Sequence, residues 1–389
     1  MIDQLAVRVS DNKVGLLVKE GGEFVFNYDP LIQSAEFISL TMPVRVKGYI
    51  HSQLLPIFEM NLPEGYLLSL LKKQFSKLTD TDDFGLLHLL SPSMRGRLHY
   101  AGLADEVHSL TLDDVLHAEQ PGLFSELVER FALRSPLSGV QPKVLIQVAN
   151  KASLKLDDYI VKAWGPDYPQ LALNEFFCMS VLKEAGVAVP DFYLSDDEAL
   201  FVVKRFDISK EGLYLGFEDM CVLQAKQRDD KYMGSYEQVA KTIKLFTSAD
   251  FKMASLHQFF KMVVLNNMLQ NGDAHLKNFG LIYDDENTVR LAPAYDVVCT
   301  TAYIKNDIAA LTLLGSKKWW GREFLIRFGV EACDLTAKQA GELYKDCEMA
   351  LRSVHVKVLE RLAFELNDEK RVLLEYVASM MEKSWGELA

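Results

Sequence analysis

The hydrophobic periodicity of this chain changes at about residue 207, and the change restricts the folds open to it. Before that point, short runs such as "VLIQVA", "YIVKAW" and "ALFVVKRF" have the composition and length of β-strands. After it, long segments such as "LHQFFKMVVLNNMLQ" carry apolar residues at helical spacing. A strand-rich half followed by a mostly helical half predicts an α+β protein with two lobes.

The length of 389 residues exceeds what one simple core accommodates and predicts two or three folding units. Residues 1–105 contain strand alternation with the turns "SDNK" and "EGGE", then the helical pattern "NLPEGYLLSLLKKQF", and predict a structural or docking subdomain. Residues 106–206 combine strands with one helix. Residues 207–389 are helical apart from a hairpin, "FGLIYDDENTVRLAPAYD", with "DDEN" at its turn.

Composition excludes several classes of function. A formal net charge of −12 and a pI near 5.2 disfavour nucleic acid as the primary ligand. The amino-terminal sequence lacks the zones of a signal peptide, and no apolar run approaches the length of a membrane span. The five cysteines are scattered and form no C-x-x-C pair, so we expect a reducing cytoplasm and neither a disulfide framework nor a zinc ribbon.

The stretch "NGDAHLKNFGL" concentrates functional groups directly after an apolar helix and directly before a strand. Its Asp273 and Asn278 have the spacing of a protein-kinase catalytic loop, in which the Asp accepts the acceptor's proton and the Asn holds Mg²⁺. The hairpin that follows brings a second carboxylate, Asp296, back beside the first. Since magnesium takes one or two carboxylates plus phosphate oxygens, Asp296 and Asn278 are predicted metal ligands and Asp273 the predicted base.

His275 and Lys277 lie in the same stretch, and each also has a simpler interpretation. A single His beside an Asp is usually a hydrogen-bonded loop residue, and we find no H-x-x-x-H, H-x-x-E-H or cysteine partner that would indicate zinc. Lys277 is either a solvated loop residue or a charge that neutralises a transferring phosphoryl group.

The strand-rich half supplies further candidates for a nucleotide site. Lys162 in "YIVKAW" has apolar neighbours, so it either pairs with phosphates or occupies an outward strand position. Glu175, in the next helix, is placed to hold that lysine as in kinases. The run "VVKRFD" offers a backbone that could meet an adenine edge, or it is simply an edge strand that ends in a turn.

The segment "SPLSGVQPKV" is a weaker candidate for a phosphate loop. Its single Gly139 is fewer than such loops normally use, because closely approaching backbone amides favour several glycines. Ser135, Ser138 and Gln141 could add donors and Lys143 a charge. By itself the segment is typical of a turn.

Taken in chain order, these segments resemble the HipA family of bacterial serine/threonine kinases, the toxin components of toxin–antitoxin pairs. The resemblance covers nearly the whole chain. It is carried by "NGDAHLKNFGL", "LAPAYDV", "SGVQPK", "YIVK", "NEFFCMSVLKEAGVAVPD", "VVKRFD" and "EDMC", with "NLPEGYLLSLL" and "DFGLLHLL" resembling the subdomain before the kinase core. It implies a bilobal protein-kinase-like fold: a strand-rich N-lobe, an extra N-terminal subdomain and a mostly helical C-lobe.

The resemblance also implies roles for individual residues. Asp273 would be the catalytic base, and Asp296 and Asn278 would hold Mg²⁺. The ATP-contacting residues that it implies are Ser138, Gly139, Val140, Gln141, Lys143, Lys162, Lys204, Phe206, His275, Lys277, Asn278 and Tyr295.

One departure from the family pattern concerns self-phosphorylation. Family members commonly carry a self-phosphorylated serine three positions before the loop glycine, where this chain has Pro136. Ser135 and Ser138 are the remaining candidates. A phosphate on either would add about two negative charges beside the ATP phosphates and could eject the loop.

The function implied is that of a Mg-ATP-dependent protein kinase toxin that phosphorylates itself and a cytoplasmic protein, such as an aminoacyl-tRNA synthetase or another translation factor. A HipB-like DNA-binding antitoxin would restrain it, and nucleic acid would be reached only through that partner. Two alternatives stay open: a small-molecule phosphotransferase, and a nucleotide-binding regulatory module without turnover. The amino-terminal subdomain weighs against the first, and the complete set of catalytic groups weighs against the second.

Overall fold

The computed structural model describes residues 4–62, 82–91, 94–100, 143–149, 156–165 and 167–386. The chain divides into two compact units. Unit 1 comprises Met1–Ala163, Ser195–Arg228 and Ile282–Asn287, and unit 2 comprises Trp164–Leu194, Asp229–Leu281 and Thr288–Ala389. The predicted domain boundary near residue 105 lies outside the described residues, as does most of "NLPEGYLLSLLKKQF", and the boundary at 206 stays a prediction.

The strands of the described residues are β1 (Gln4–Val9), β2 (Asn12–Glu20), β3 (Glu23–Tyr28), β4 (Tyr49–His51), β5 (Leu98–His99), β6 (Lys143–Ala149), β7 (Leu156–Ala163), β8 (Phe192–Leu194), β9 (Leu200–Lys204), β10 (Gly216–Asp219), β11 (Gly280–Tyr283) and β12 (Arg290–Leu291). The α-helices are α1 (Pro56–Glu59), α2 (Asp83–Leu90), α3 (Leu171–Glu184), α4 (Met220–Leu223), α5 (Tyr236–Phe246), α6 (Ala249–Met268), α7 (Arg322–Ala332), α8 (Ala337–Ala363) and α9 (Asp368–Gly386). Single 3₁₀ turns occupy Ser34–Glu36, Arg228–Asp230, Leu276–Asn278 and Thr300–Ala302.

Unit 1 begins with an antiparallel five-stranded sheet in the order β4-β3-β2-β1-β5. The predicted "EGGE" turn joins β2 to β3, with Gly21 and Gly22 at positive φ, where a side chain would be strained. Buried aromatic side chains join the sheet to the helices: the Phe26 and Phe58 ring centroids lie 5.7 Å apart. Phe84 of α2 similarly lies 6.1 Å from Phe24.

A second sheet in unit 1 contains β6, β7 and β9 in that order, so the strands predicted from "VLIQVA", "YIVKAW" and "ALFVVKRF" are confirmed. All the pairs are antiparallel, with Lys143 opposite Lys162 and Lys162 opposite Phe201. Also in unit 1, β10 lies beside the end of β11. Gly216 is needed there, because a Cβ at this position would lie 2.1 Å from the Tyr283 ring.

Unit 2 is mostly helical, and α8 packs against α3, α6, α7 and α9. Two of its helices begin at side-chain caps: Ser235 accepts a hydrogen bond from Gln238 N before α5, and Thr336 accepts one from Gln339 N before α8. The base of the predicted hairpin also lies in unit 2, where Ala292 N donates to Gly280 O at 2.9 Å.

Among the helices of the described ranges, none is both long and apolar enough to cross a membrane.

Candidate functional site

The stretch "NGDAHLKNFGL" begins with a short loop that closely follows α6, and Asn271 anchors this loop. Asn271 is completely buried: its Nδ2 donates to Asn266 Oδ1 at 2.7 Å, inside the last turns of α6. Its own Oδ1 accepts a hydrogen bond from Asp273 N at 3.1 Å. One buried amide therefore ties the end of the helix to the backbone of the predicted base.

Gly272 sits where the loop backbone contacts the segment that contains Thr300 and Asp307. Its N–H donates to Thr300 Oγ1 at 2.7 Å, and Thr300 Oγ1 donates to Asp307 Oδ2 at 2.5 Å. A Cβ at Gly272 would lie 2.0 Å from the same Asp307 oxygen. The position therefore requires glycine for space, a role that the motif alone did not indicate.

Asp273 projects from this anchored backbone with a side chain 49% exposed. The Tyr232 hydroxyl donates to its Oδ1 at 2.6 Å, and His275 Nε2 lies 3.9 Å from the same oxygen. The Tyr232 and His275 rings meet edge to face, with centroids 5.1 Å apart. His275 is thus a buried supporting residue beside the carboxylate, and Tyr232 is a contact that sequence reasoning missed.

Lys277 and Asn278 occupy the 3₁₀ turn that follows. Asn278 is buried, and its Oδ1 accepts a hydrogen bond from His275 N at 3.2 Å while its own N–H donates to His275 O at 3.0 Å. An amide oxygen has a second lone pair, so this bond leaves Asn278 able to ligate a cation. Leu276, the first residue of the turn, is fully buried, and its N–H donates to Lys231 O at 3.0 Å.

After the hairpin, Tyr295, the residue before Asp296, contacts the loop. The Tyr295 hydroxyl donates to Lys277 O at 2.7 Å, so the residues before Asp296 and Asn278 are in direct contact. Asp296 has a φ of +53°, a left-handed conformation that is uncommon for a residue other than glycine and is often found at functional sites.

Both sides of Asp296 are fixed to other parts of unit 2. Upstream, Ala294 N donates to Ala188 O at 2.8 Å. Downstream, the Asn174 side chain of α3 makes two hydrogen bonds with the backbone of Cys299, at 2.8 and 3.0 Å. Anchors this close on each side can hold the strained backbone of Asp296 in place.

The oxygen donors of Asn278 and Asp296 fit magnesium, which is bound through one or two carboxylates, other oxygens and water. Within the described ranges, no group of three or more His, Cys, Asp and Glu side chains could hold a metal ion. Magnesium does not need such a group, because it usually keeps several of its waters.

The predicted nucleotide-contacting residues of the strand-rich half lie in unit 1. Lys162 on β7 is 3% exposed, with its Nζ 5.5 Å from the Phe201 ring centroid. The β6–β7 register pairs it with Lys143, so two lysine positions adjoin at one end of the sheet. Lys204 ends β9, and the Phe206 ring packs edge to face against Phe217 at 5.4 Å.

Arg205, which lies between Lys204 and Phe206, gives the "VVKRFD" motif a structural role. Its buried guanidinium binds Asp207 through two hydrogen bonds, at 2.8 and 2.5 Å, and donates to Arg95 O at 3.0 Å. The neighbouring carboxylates hold the pKa of Arg205 above its ordinary value despite burial. A local Arg-x-Asp spacing could have revealed this structural ion pair.

Several predicted residues have no description in the structure. Ser135, Ser138, Gly139, Val140 and Gln141 lie outside the described residues, as does the side chain of Lys143. Glu175 is buried in α3 of unit 2, and its predicted pairing with Lys162 stays a prediction.

Family comparisons cover both halves of the chain. Residues 135–355 match the model of the HipA-like C-terminal domain, and residues 5–101 match that of the HipA N-terminal domain. Curated relatives named "Putative kinase" include Y4dM of Sinorhizobium fredii, 30% identical over 68% of this chain, and a Haemophilus influenzae protein, 28% identical over 59%. The matches span 66% and 73% of those relatives, slightly under two thirds for Y4dM.

A solved structure with the same fold comes from Shewanella oneidensis MR-1, a toxin–antitoxin complex of HipA, HipB and operator DNA. The likeness has a TM-score of 0.73 at 18% identity and covers 99% of this chain and 97% of that chain. It confirms the predicted α+β kinase-like fold.

Proposed function

Because the chain belongs to the HipA-like family, we propose that it is a Mg-ATP-dependent serine/threonine protein kinase and the toxin of a toxin–antitoxin pair. The observation that carries the proposal is the hydrogen bond from the Tyr295 hydroxyl to Lys277 O. It supports a shared site for the predicted base and both predicted metal ligands, since Asp296 and Asn278 directly follow the two bonded residues.

In the proposed reaction Asp273 accepts the proton of the acceptor hydroxyl as that oxygen forms its bond to the γ-phosphorus of ATP, while the bond from that phosphorus to the bridging oxygen breaks and ADP leaves. When bound, ATP would supply the phosphoryl group and its Mg²⁺ ion the positive charge that stabilises the transition state. Asn278 and Asp296 would hold the metal ion, and Lys277 would neutralise charge on the phosphoryl oxygens. The anchored backbone on both sides of Asp273 supports this role, because a base must be positioned to within a fraction of an ångström.

Further residues proposed to contact the nucleotide belong to unit 1. Lys162 and Lys143 would bind ATP phosphates, and the loop from Ser138 would cover them. The β6–β7 register supports this assignment, because two lysine positions side by side form a cationic pair suited to phosphate oxygens. Lys204 and Phe206 would face the adenine.

The proposed partners follow from the structural relative, which was solved with HipB and operator DNA. By analogy, a HipB-like antitoxin would bind this chain and connect it indirectly to DNA. The acceptor would be a cytoplasmic protein of translation, such as an aminoacyl-tRNA synthetase, together with Ser135 or Ser138 of the chain itself.

The test is phosphate transfer from labelled ATP to the proteins of a bacterial lysate. The parent should label a discrete protein, and Asp273→Asn should lower labelling about 100-fold or more, because the amide keeps the side-chain shape but cannot accept the proton. Asp334→Asn is the matched control: this side chain is 52% exposed and pairs with Lys244 at the surface.

If Asp273→Asn labels as well as the parent, the base is assigned wrongly. If the parent transfers phosphate to a metabolite and to no protein, the small-molecule phosphotransferase alternative is favoured instead.

A further inference from the structure

Tyr232 contacts the predicted base from a part of the chain that no catalytic motif includes. It follows the 3₁₀ turn Arg228–Asp230, and its hydroxyl donates to Asp273 Oδ1 at 2.6 Å across 41 positions of sequence. A hydrogen bond of this length from a hydroxyl to a carboxylate belongs to the strong, charge-assisted class.

The backbone and ring of Tyr232 are both fixed, although the residue is 41% exposed. Its carbonyl accepts a hydrogen bond from Lys317 Nζ at 3.3 Å, and the preceding carbonyl, of Lys231, accepts one from Leu276 N at 3.0 Å. Its ring meets the buried His275 ring edge to face. These contacts place the Tyr232 hydroxyl beside Asp273, and none of them involves the Asp273 carboxylate.

Among the described residues, those that contact the Asp273 carboxylate do so at one of its two oxygens. Tyr232 and His275 both approach Oδ1, and within the described part of the chain Oδ2 accepts no hydrogen bond. A carboxylate has two oxygens and about four lone-pair sites, so a bond at Oδ1 leaves Oδ2 open. An acceptor hydroxyl and Tyr232 can thus bind the same carboxylate together.

We propose that Tyr232 is a positioning residue, which holds the Asp273 carboxylate by Oδ1 so that Oδ2 receives the proton of the acceptor hydroxyl. The inference rests on the proposed kinase function. Without this bond the carboxylate would turn more freely about its terminal torsion, which has a broad energy minimum. Fewer encounters would then have the geometry that proton transfer needs.

Tyr232→Phe tests the proposal, because it removes the hydroxyl and keeps the ring that packs on His275. We expect kcat to fall about tenfold or more, with the KM for ATP changed less than about twofold, since a hydrogen bond to a charged group is lost next to the reacting atoms and not at the nucleotide. Tyr376→Phe on α9, at a residue 39% exposed, is the matched control and should retain the parent's kcat and KM.

A double-mutant cycle distinguishes positioning from a structural role. If Tyr232 acts through Asp273, adding Tyr232→Phe to Asp273→Asn should lower the residual rate far less than it lowers the parent's rate. An equal loss in both backgrounds overturns the inference, and so does an unchanged kcat in the single variant.

A third outcome also decides against the proposal. If Tyr232→Phe raises kcat/KM for the acceptor, the hydroxyl occupies the acceptor's place and does not orient the base. A parent protein that transfers no phosphate overturns the proposed function together with this inference, whereas an active parent with an equally active Phe variant overturns the inference alone. Melting temperatures of all the variants identify any rate loss that comes from unfolding.

Discussion

Two carboxylates of this protein, Glu218 in unit 1 and Asp273 in unit 2, differ in exposure and in the number of hydrogen bonds that their oxygens accept. Glu218 is 0% exposed and accepts hydrogen bonds from Ser39 Oγ at 2.6 Å and from Leu40 N and the Tyr283 hydroxyl, both at 2.7 Å. Asp273 is half exposed and accepts one side-chain hydrogen bond within the described residues, at Oδ1.

The difference separates a structural carboxylate from one available for chemistry. Glu218 fastens residues 39–40 to β10 and β11, and a group that already accepts three hydrogen bonds cannot readily take part in a reaction. Asp273 has a rigid backbone and an open oxygen, as a general base requires. Substitutions at Glu218 should therefore change stability, and substitutions around Asp273 should change rate.

The largest expected effect is on the rate, from Asp296→Asn. Asparagine tolerates the left-handed backbone of Asp296, so the fold should persist while the predicted metal ligand loses its charge. We expect kcat to fall about 100-fold or more and the magnesium concentration for half-maximal activity to rise. Steady-state kinetics over a magnesium titration measures both.

The matched control is Asp334→Asn, because Asp334 is also left-handed, with a φ of +56°. It should leave the magnesium titration unchanged. A variant of Asp296 with the parent's magnesium dependence would remove this residue from the metal site.

Gly272→Ala should have the next largest effect, and it should change both rate and stability. The new Cβ would lie 2.0 Å from Asp307 Oδ2, so the loop or the Thr300–Asp307 pair must shift. We expect kcat to fall about tenfold or more, since a displaced base loses its alignment. Gly341→Ala on α8 meets nothing within 4 Å and should raise the free energy of unfolding by up to about 1 kcal/mol. Equal kinetics for the two variants would show that the loop tolerates a Cβ.

Structure that depends on neighbouring positions could be predicted from the sequence, whereas contacts between distant positions could not. The contact between the end of the hairpin and the loop, made by Tyr295 and Lys277, was predictable, because a turn between two strand-like runs specifies a hairpin. The helical and strand-rich halves were predictable for the same reason, since periodicity is a property of neighbouring residues.

The contacts that sequence reasoning missed join distant positions. Tyr232 lies 41 positions before Asp273, and Ser39 lies 179 positions before Glu218. Each pair is assembled by packing of separate segments, and a single sequence carries no spacing signal for that. The "EDMC" motif did mark Glu218 as part of the resemblance, but its buried role needed the positions of Ser39 and Tyr283.

Glu218→Ala should lower stability and leave the catalytic rate of the folded protein unchanged. Three donors, on the buried Ser39 and Tyr283 and the partly buried Leu40, would lose their acceptor, and at about 1 kcal/mol each the loss is about 3 kcal/mol. Glu218→Gln is the matched control, because its amide oxygen can still accept from Leu40 N and Tyr283 while its NH₂ group can donate to Ser39. Thermal unfolding should place Tm in the order parent, Gln, Ala. A rate loss in the Ala variant at full folding would contradict the structural role.

The smallest expected effect is the pH dependence that Glu218 adds to stability. Burial raises the pKa of Glu218 above its ordinary value, against the opposing hydrogen bonds from Ser39, Tyr283 and Leu40. The folded state therefore keeps this proton at pH values where the unfolded chain has released it. The stability that the group contributes is fully present below the ordinary pKa of about 4.3 and is lost as pH rises through the raised value in the folded protein.

The difference in Tm between the parent and Glu218→Gln isolates the contribution of Glu218 to the pH dependence of stability, because every other titrating group is common to both proteins. As pH rises from below the ordinary glutamate pKa, the parent should lose Tm relative to the Gln variant and then level off. A difference that is flat over this interval would mean that Glu218 binds its proton equally well in both states. The saturated hydrogen bonds would then offset the burial completely, and Glu218 would resemble an exposed carboxylate in its energetics despite its buried position.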